Sequence, residues 1–125
     1  MLSASHSNRL VVTYVYPAKA AAIYRANAKL VRASKSAGFS DYPVGTIIAK
    51  ESFERGADGA PDRRGPVFFM RKEKAGYDPS GENWRYAFTQ ADFSLIGDGV
   101  KDNVEFCKAC HAAVRTRHFV YAQDR

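Results

Sequence analysis

The chain has 125 residues but only two cysteines, two methionines and one tryptophan, and each scarcity excludes something. Two cysteines cannot staple a disulfide-dense secreted scaffold or supply a four-cysteine zinc site. Acidic residues are in deficit, 13 against 19 Lys and Arg, leaving a net charge of +6. No apolar run approaches the ~18–20 residues of a membrane span, so the chain is read as not membrane-spanning. The opening Met-Leu-Ser-Ala-Ser-His-Ser-Asn-Arg lacks the apolar stretch of a secretory signal. Internal repeats and low-complexity tracts are also missing. What is present is 46% apolar and 13% aromatic sequence, enough for one folded core. We therefore expect a single domain over 1–125, with 1–8 as a flexible lead.

Excess positive charge raises the question of nucleic acid. Helical spacing puts Arg25, Lys29 and Arg32 on one face. A solvated face that meets an acidic redox partner protein accounts for this stripe without nucleic acid.

Both cysteines fall in one five-residue motif, Cys107-Lys108-Ala109-Cys110-His111. On a helical turn, residues i, i+3 and i+4 share a face. Two thiols and an imidazole so spaced are what covalent c-type haem attachment requires. Cys107 and Cys110 would form thioethers to the haem vinyl groups, and His111 would be the proximal iron ligand. A thioredoxin-like dithiol would follow a strand in a βαβ pattern, which is not seen here. A zinc site would need His111 and His118 together, an unusual spacing. The reading is therefore one haem c per chain. Haem c is attached outside the cytoplasmic membrane, which implies a periplasmic location and a signal no longer attached to this chain.

Strand and helix signals run through the chain in order. Leu10 to Tyr16 is β-branched and aromatic, a strand, and Pro17 suits the first turn of a helix. The helix runs from Ala18 to about Lys35, with Ile23, Ala26, Leu30 and Ala33 inward and Gly38 closing it. Gly45 to Phe53 reads as a second strand, Glu54 to Pro66 as an exposed loop, and Val67 to Lys72 as a third strand. Trp84, Tyr86 and Phe88 alternate with polar or small residues, a half-buried strand. Gly97-Asp98-Gly99 reads as a turn. A helix from about Lys101 carries the haem motif, and Phe119 to Tyr121 reads as a short terminal strand. The sum is an α+β domain, a mainly antiparallel β-sheet with a long N-terminal helix and a C-terminal haem-binding helix.

Only 14 residues follow His111 and none is methionine, so an electron-transfer cytochrome with a downstream Met ligand does not fit, though an electron carrier remains an alternative. Met70 reads as core packing, and His118 lies too close to His111 in sequence to reach the other side of the ring. An open iron position favours ligand binding or chemistry.

The segments Pro43-Val44-Gly45-Thr46-Ile47-Ile48-Ala49-Lys50-Glu51, Gly76-Tyr77-Asp78-Pro79 and Asn83-Trp84-Arg85-Tyr86, in that order before Cys-Lys-Ala-Cys-His, resemble the cytochrome P-460 and cytochrome c′-beta family from about residue 15 to 122. The resemblance implies a mainly antiparallel, typically homodimeric periplasmic protein with five-coordinate haem c. In the P-460 branch a lysine is bonded to a meso carbon of the porphyrin and hydroxylamine is oxidised to nitrous oxide or nitrite. The c′-beta branch lacks the cross-link and binds nitric oxide. The lysine of the Gly-Thr-x-x-x-Lys-Glu segment is Lys50 here. Strand alternation alone leaves open whether Lys50 points to the haem or to solvent. The family's acidic distal residue lies shortly before the first cysteine, which makes Asp102 the first candidate base and Glu105 the second. Phe53, Phe69 and Tyr86 are candidate walls of the haem pocket.

Overall fold

The computed structural model describes residues 2–3, 9–99 and 104–122. Its strands are β1 (Leu2–Ser3), β2 (Arg9–Tyr16), β3 (Ile47–Arg55), β4 (Pro61–Lys72), β5 (Trp84–Thr89) and β6 (Leu95–Gly99). They form one antiparallel sheet in the order β1-β2-β3-β4-β5-β6, each strand pairing with its neighbours in sequence. Helix α1 (Ala18–Arg32) sits between β2 and β3, and α2 (Glu105–His111) follows β6 and runs into a 3₁₀ segment, Ala112–Arg117.

This corrects the expected α+β domain with a long N-terminal helix: the protein is mainly antiparallel sheet, and its helices are short. Helix α1 has 15 residues and stops before Lys35, because Ser34 takes a left-handed conformation, φ 56°. Ser34 N–H then donates to Val31 O and Lys35 N–H to Leu30 O, the paired bonds that close a helix end. A glycine usually marks such a stop, and here a serine makes it. The inward face also differs from the expected one. Ala20, Tyr24, Asn27 and Ala28 are buried while Ala26 is exposed. Asn27 is tolerated inside because its amide donates to Ser40 O and Tyr42 Oη and accepts from Ser40 N–H.

Three further boundaries differ from the sequence reading. The expected loop from Glu54 to Pro66 is largely strand, since a tight turn at 56–60, closed by Gly56 N–H to Ala60 O, extends the β3–β4 hairpin. The expected turn at Gly97-Asp98-Gly99 is instead β6, with Gly97 paired to Phe88 and Gly99 to Tyr86. These glycines place no side chain beside two large aromatics. The expected strand at 119–121 is replaced by consecutive left-handed residues, His118 and Phe119 (φ 58° and 65°).

The sheet has unequal faces. One face carries α1, the 40s loop and the C-terminal segment, with Tyr24, Ile48, Met70, Trp84, Tyr86, Val104 and Val120 in one core cluster. The other presents exposed Val12, Tyr14 and Leu95.

Candidate functional site

Strand register sets out the floor of a cleft on the covered face. Ile48, Met70 and Tyr86 stand in one cross-strand row, and Lys50, Phe68 and Phe88 in the next. Ile48 and Ser52, which share Lys50's face of β3, and Thr46 just before the strand are all buried, so this side of the strand faces inward. Opposite the floor stands α2, contributing Phe106, Cys107, Cys110 and His111. The cleft between them is narrow, with about 40 Å³ of room for the centres of water-sized molecules, and it opens to solvent. Aromatic rings close its side: Phe88 stacks on Phe68 at 6.2 Å and meets Phe106 edge-on at 5.9 Å.

Cys107 and Cys110 are free thiols one turn apart. Burial, and secondarily the charge of Cys110, pushes the Cys107 thiol up to about 11. Cys110 is exposed, and Tyr121 Oη donates to its carbonyl at 2.8 Å. Lys108, between the cysteines, bonds Asp78 at 2.9 Å and Ser80 Oγ at 2.9 Å. That bridge pins α2 to the turn before β5. Gly81 leaves room for the bridge, since a Cβ there would sit 2.6 Å from Asp78 Oδ2 and displace the carboxylate.

His111 is buried, 7% exposed, and its Nδ1 lies 2.7 Å from Phe119 O. A carbonyl only accepts, so Nδ1 carries the proton and Nε2 keeps its lone pair. Burial holds the imidazole down to about 4; the Phe119 bond opposes this, and the nearby charge of Lys50 adds to it. The ring is therefore neutral at ordinary pH. It packs against Tyr86 at 5.3 Å and Tyr121 at 5.1 Å. Burial also raises the Tyr86 hydroxyl, and its oxygen is buried without a hydrogen-bond partner among the described residues.

Of the residues singled out in the sequence, Lys50, Phe69, Tyr86, Cys107, Cys110 and His111 line this one cleft. Phe53 does not; it lies beyond a bulge in β3, paired with Leu10 and Arg64. Glu105 is exposed in the first turn of α2, and Asp102 lies outside the described residues. Among the described residues no carboxylate lines the cleft. Phe68 and Phe106 were missed, although Phe68 could have been found as the residue two before Met70 on the same strand face. Met70 both packs in the core and lines the cleft.

His118 sits elsewhere. With Asp41 and Glu82 it forms a cluster whose polar atoms lie within 4.8 Å of one another. Lys72 Nζ, 3.2 Å from Asp41 and 3.9 Å from Glu82, already supplies the cation there.

The residues present suit a haem. Two thiols and a neutral imidazole with a free Nε2 share one helix end, the walls are apolar, and the buried Tyr86 hydroxyl offers an unmatched donor. Among the described residues no helix is long and apolar enough to cross a membrane. No curated protein matches the chain. A family model described as Cytochrome P460 matches residues 3–122, and the chain belongs to that family of haem-binding cytochromes.

Proposed function

We propose that the protein is a periplasmic mono-haem c enzyme of the P-460 type that oxidises hydroxylamine, to nitrous oxide or nitrite, with Lys50 bonded to the porphyrin. The observation that carries this reading is the meeting of Lys50 with Cys107, Cys110 and His111 around one cleft. Cys107 and Cys110 would hold the haem by thioethers and His111 would bind the iron through Nε2. When bound, the haem would supply a redox-active iron as the sink for electrons leaving the substrate.

Each residue has a physical task. His111 is locked in one tautomer by Phe119 O, which keeps its lone pair aimed and its ring from turning. Phe68 and Phe106, with Phe88 packed against both, would give the cleft an apolar aromatic wall. Lys50 reaches the cleft from the middle of a strand paired on both sides, which limits the freedom of its backbone. Oxidation of hydroxylamine also releases protons, so a base near the open side would speed it; Asp102 is proposed first and Glu105 second.

Two partners complete the proposal. The exposed Val12, Tyr14 and Leu95 on the outer sheet face suit a second copy of this chain, giving a homodimer. The exposed Arg25, Lys29 and Arg32 on α1 suit an acidic electron acceptor.

Mass spectrometry of protein made with haem-maturation machinery tests the assignment. Lys50 should be recovered covalently joined to the haem peptide, and Lys50→Ala should abolish hydroxylamine oxidation. Unmodified Lys50 with tight nitric oxide binding and no turnover would overturn the enzymatic reading in favour of a cytochrome c′-beta-like gas-binding protein.

A further inference from the structure

The carbonyl that partners His111 belongs to a segment with its own support. Phe119 O accepts from His111 Nδ1 at 2.7 Å, and it does so from the second of two consecutive left-handed residues. Neither is glycine, so this backbone persists only where its surroundings over-determine it. The peptide between His118 and Phe119 is gripped at both ends. Its oxygen accepts from Trp84 Nε1 at 2.8 Å, and its N–H donates to Val114 O at 3.2 Å. The His118 ring is held as well, by Glu82 at 2.8 Å and by Phe39 O at 3.2 Å.

Trp84 is fully buried at the start of β5, and its register partner is Lys72, not a residue of the cleft. Its indole N–H spends itself on the His118 carbonyl. Loss of that bond loosens the left-handed backbone at His118 and Phe119, on which the placement of Phe119 O, in the following peptide, depends. We infer that Trp84 is a positioning residue for the proximal imidazole, setting the strength of the His111–Phe119 bond through the His118 carbonyl and so tuning the electron donation of His111 to iron. The inference rests on the haem assignment above. A well-made Nδ1–H···O bond gives the imidazole more anionic character, which stabilises ferric over ferrous iron.

The chain has a single tryptophan, so biosynthetic replacement by its sulfur isostere, β-(3-benzothienyl)alanine, alters Trp84 alone and removes only the N–H. Trp84→Phe removes the same donor by mutation. Tyr42→Phe is the packing control: the Tyr42 ring meets Trp84 edge-on at 5.8 Å, but its hydroxyl bonds Asn27, not residue 118. The readouts are the iron–histidine stretching frequency of ferrous protein and the midpoint potential, both on haem-loaded material. Removing the N–H should lower the stretching frequency and favour the ferrous form about tenfold at fixed potential, an upward shift of about 59 mV. Tyr42→Phe should change neither. Unchanged values in isostere-substituted, haem-bearing protein would overturn the inference, as would an equal shift in Tyr42→Phe. Wild-type protein that matures without haem would instead overturn the haem assignment itself, a distinguishable result.

Discussion

Lys72→Met isolates the electrostatic half of the support beneath Trp84. The Lys72 side chain is 7% exposed, with Nζ 3.2 Å from Asp41, 3.9 Å from Glu82 and 5.1 Å from the Trp84 ring centre. Methionine keeps most of the stem, so packing loss is small. The charge goes, and two carboxylates remain with only His118 near them. Breaking one side of a buried pair costs about 3–5 kcal/mol, but the side chains of Asp41 and Glu82 are 52% and 32% exposed and can rehydrate. We expect a loss of about 2–3 kcal/mol, between the buried and the exposed limits. With an unfolding entropy of ~2.1 cal/mol/K per residue, that lowers Tm by roughly 8–11 °C. Asp41→Asn should cost less than about 1 kcal/mol, since that side chain is half in water. Thermal and urea unfolding of haem-loaded protein, run as a double-mutant cycle with Asp41, measures the coupling. A Lys72→Met cost under about 0.5 kcal/mol would refute the reasoning, because the pair would then be behaving as an ordinary surface contact.

Other outcomes follow from single groups. In haem-free protein His111 is neutral when folded, held at about 4 against 6.5 when unfolded, so the unfolded chain binds the extra proton in between. Stability therefore falls as pH drops from about 6.5 to about 4, by about 3 kcal/mol in all; urea midpoints across that range should lose this slope in His111→Leu, and a slope that persisted would assign it to other groups. Ser34→Gly relieves a left-handed residue at the end of α1 and should raise stability by about 0.5 kcal/mol after the entropy glycine adds to the unfolded chain; a lower Tm would contradict this. Lys108→Met unties α2 from Asp78, whose side chain is 12% exposed, and should cost about 1–2 kcal/mol and broaden the haem absorption bands. Unchanged Tm and spectra would show that the bridge does not hold the helix.

How far the site could be read from sequence depended on how local its chemistry is. Cys107, Cys110 and His111 sit within five residues, so one helical turn suffices to place them together. Lys50 is different: alternation put it with Thr46, Ile48 and Ser52, but only the packing of α1 and the C-terminal segment decides that this side is inward. Phe68 is legible as the residue two before Met70 on one strand face, but Phe106 is not, because it reaches the cleft only through a helix that returns over distant strands. The sequence pattern carries helix α1 past its real end, because its stop is Ser34 in a conformation usually left to glycine. Gly97 and Gly99 signal a turn in sequence because glycine ordinarily breaks structure, yet both pair within β6, Gly97 with Phe88 and Gly99 with Tyr86. The support behind His111 had no sequence signal, since it is built from backbone carbonyls of residues 118 and 119.

The central claim is that haem is held by Cys107 and Cys110 with His111 on one side of the iron and nothing from the protein on the other. Electron paramagnetic resonance of the resting ferric protein tests it most directly. The resting ferric protein should give a high-spin, five-coordinate signal that changes when hydroxylamine or nitric oxide is added. A low-spin, six-coordinate signal at rest, unchanged by either ligand, would contradict it.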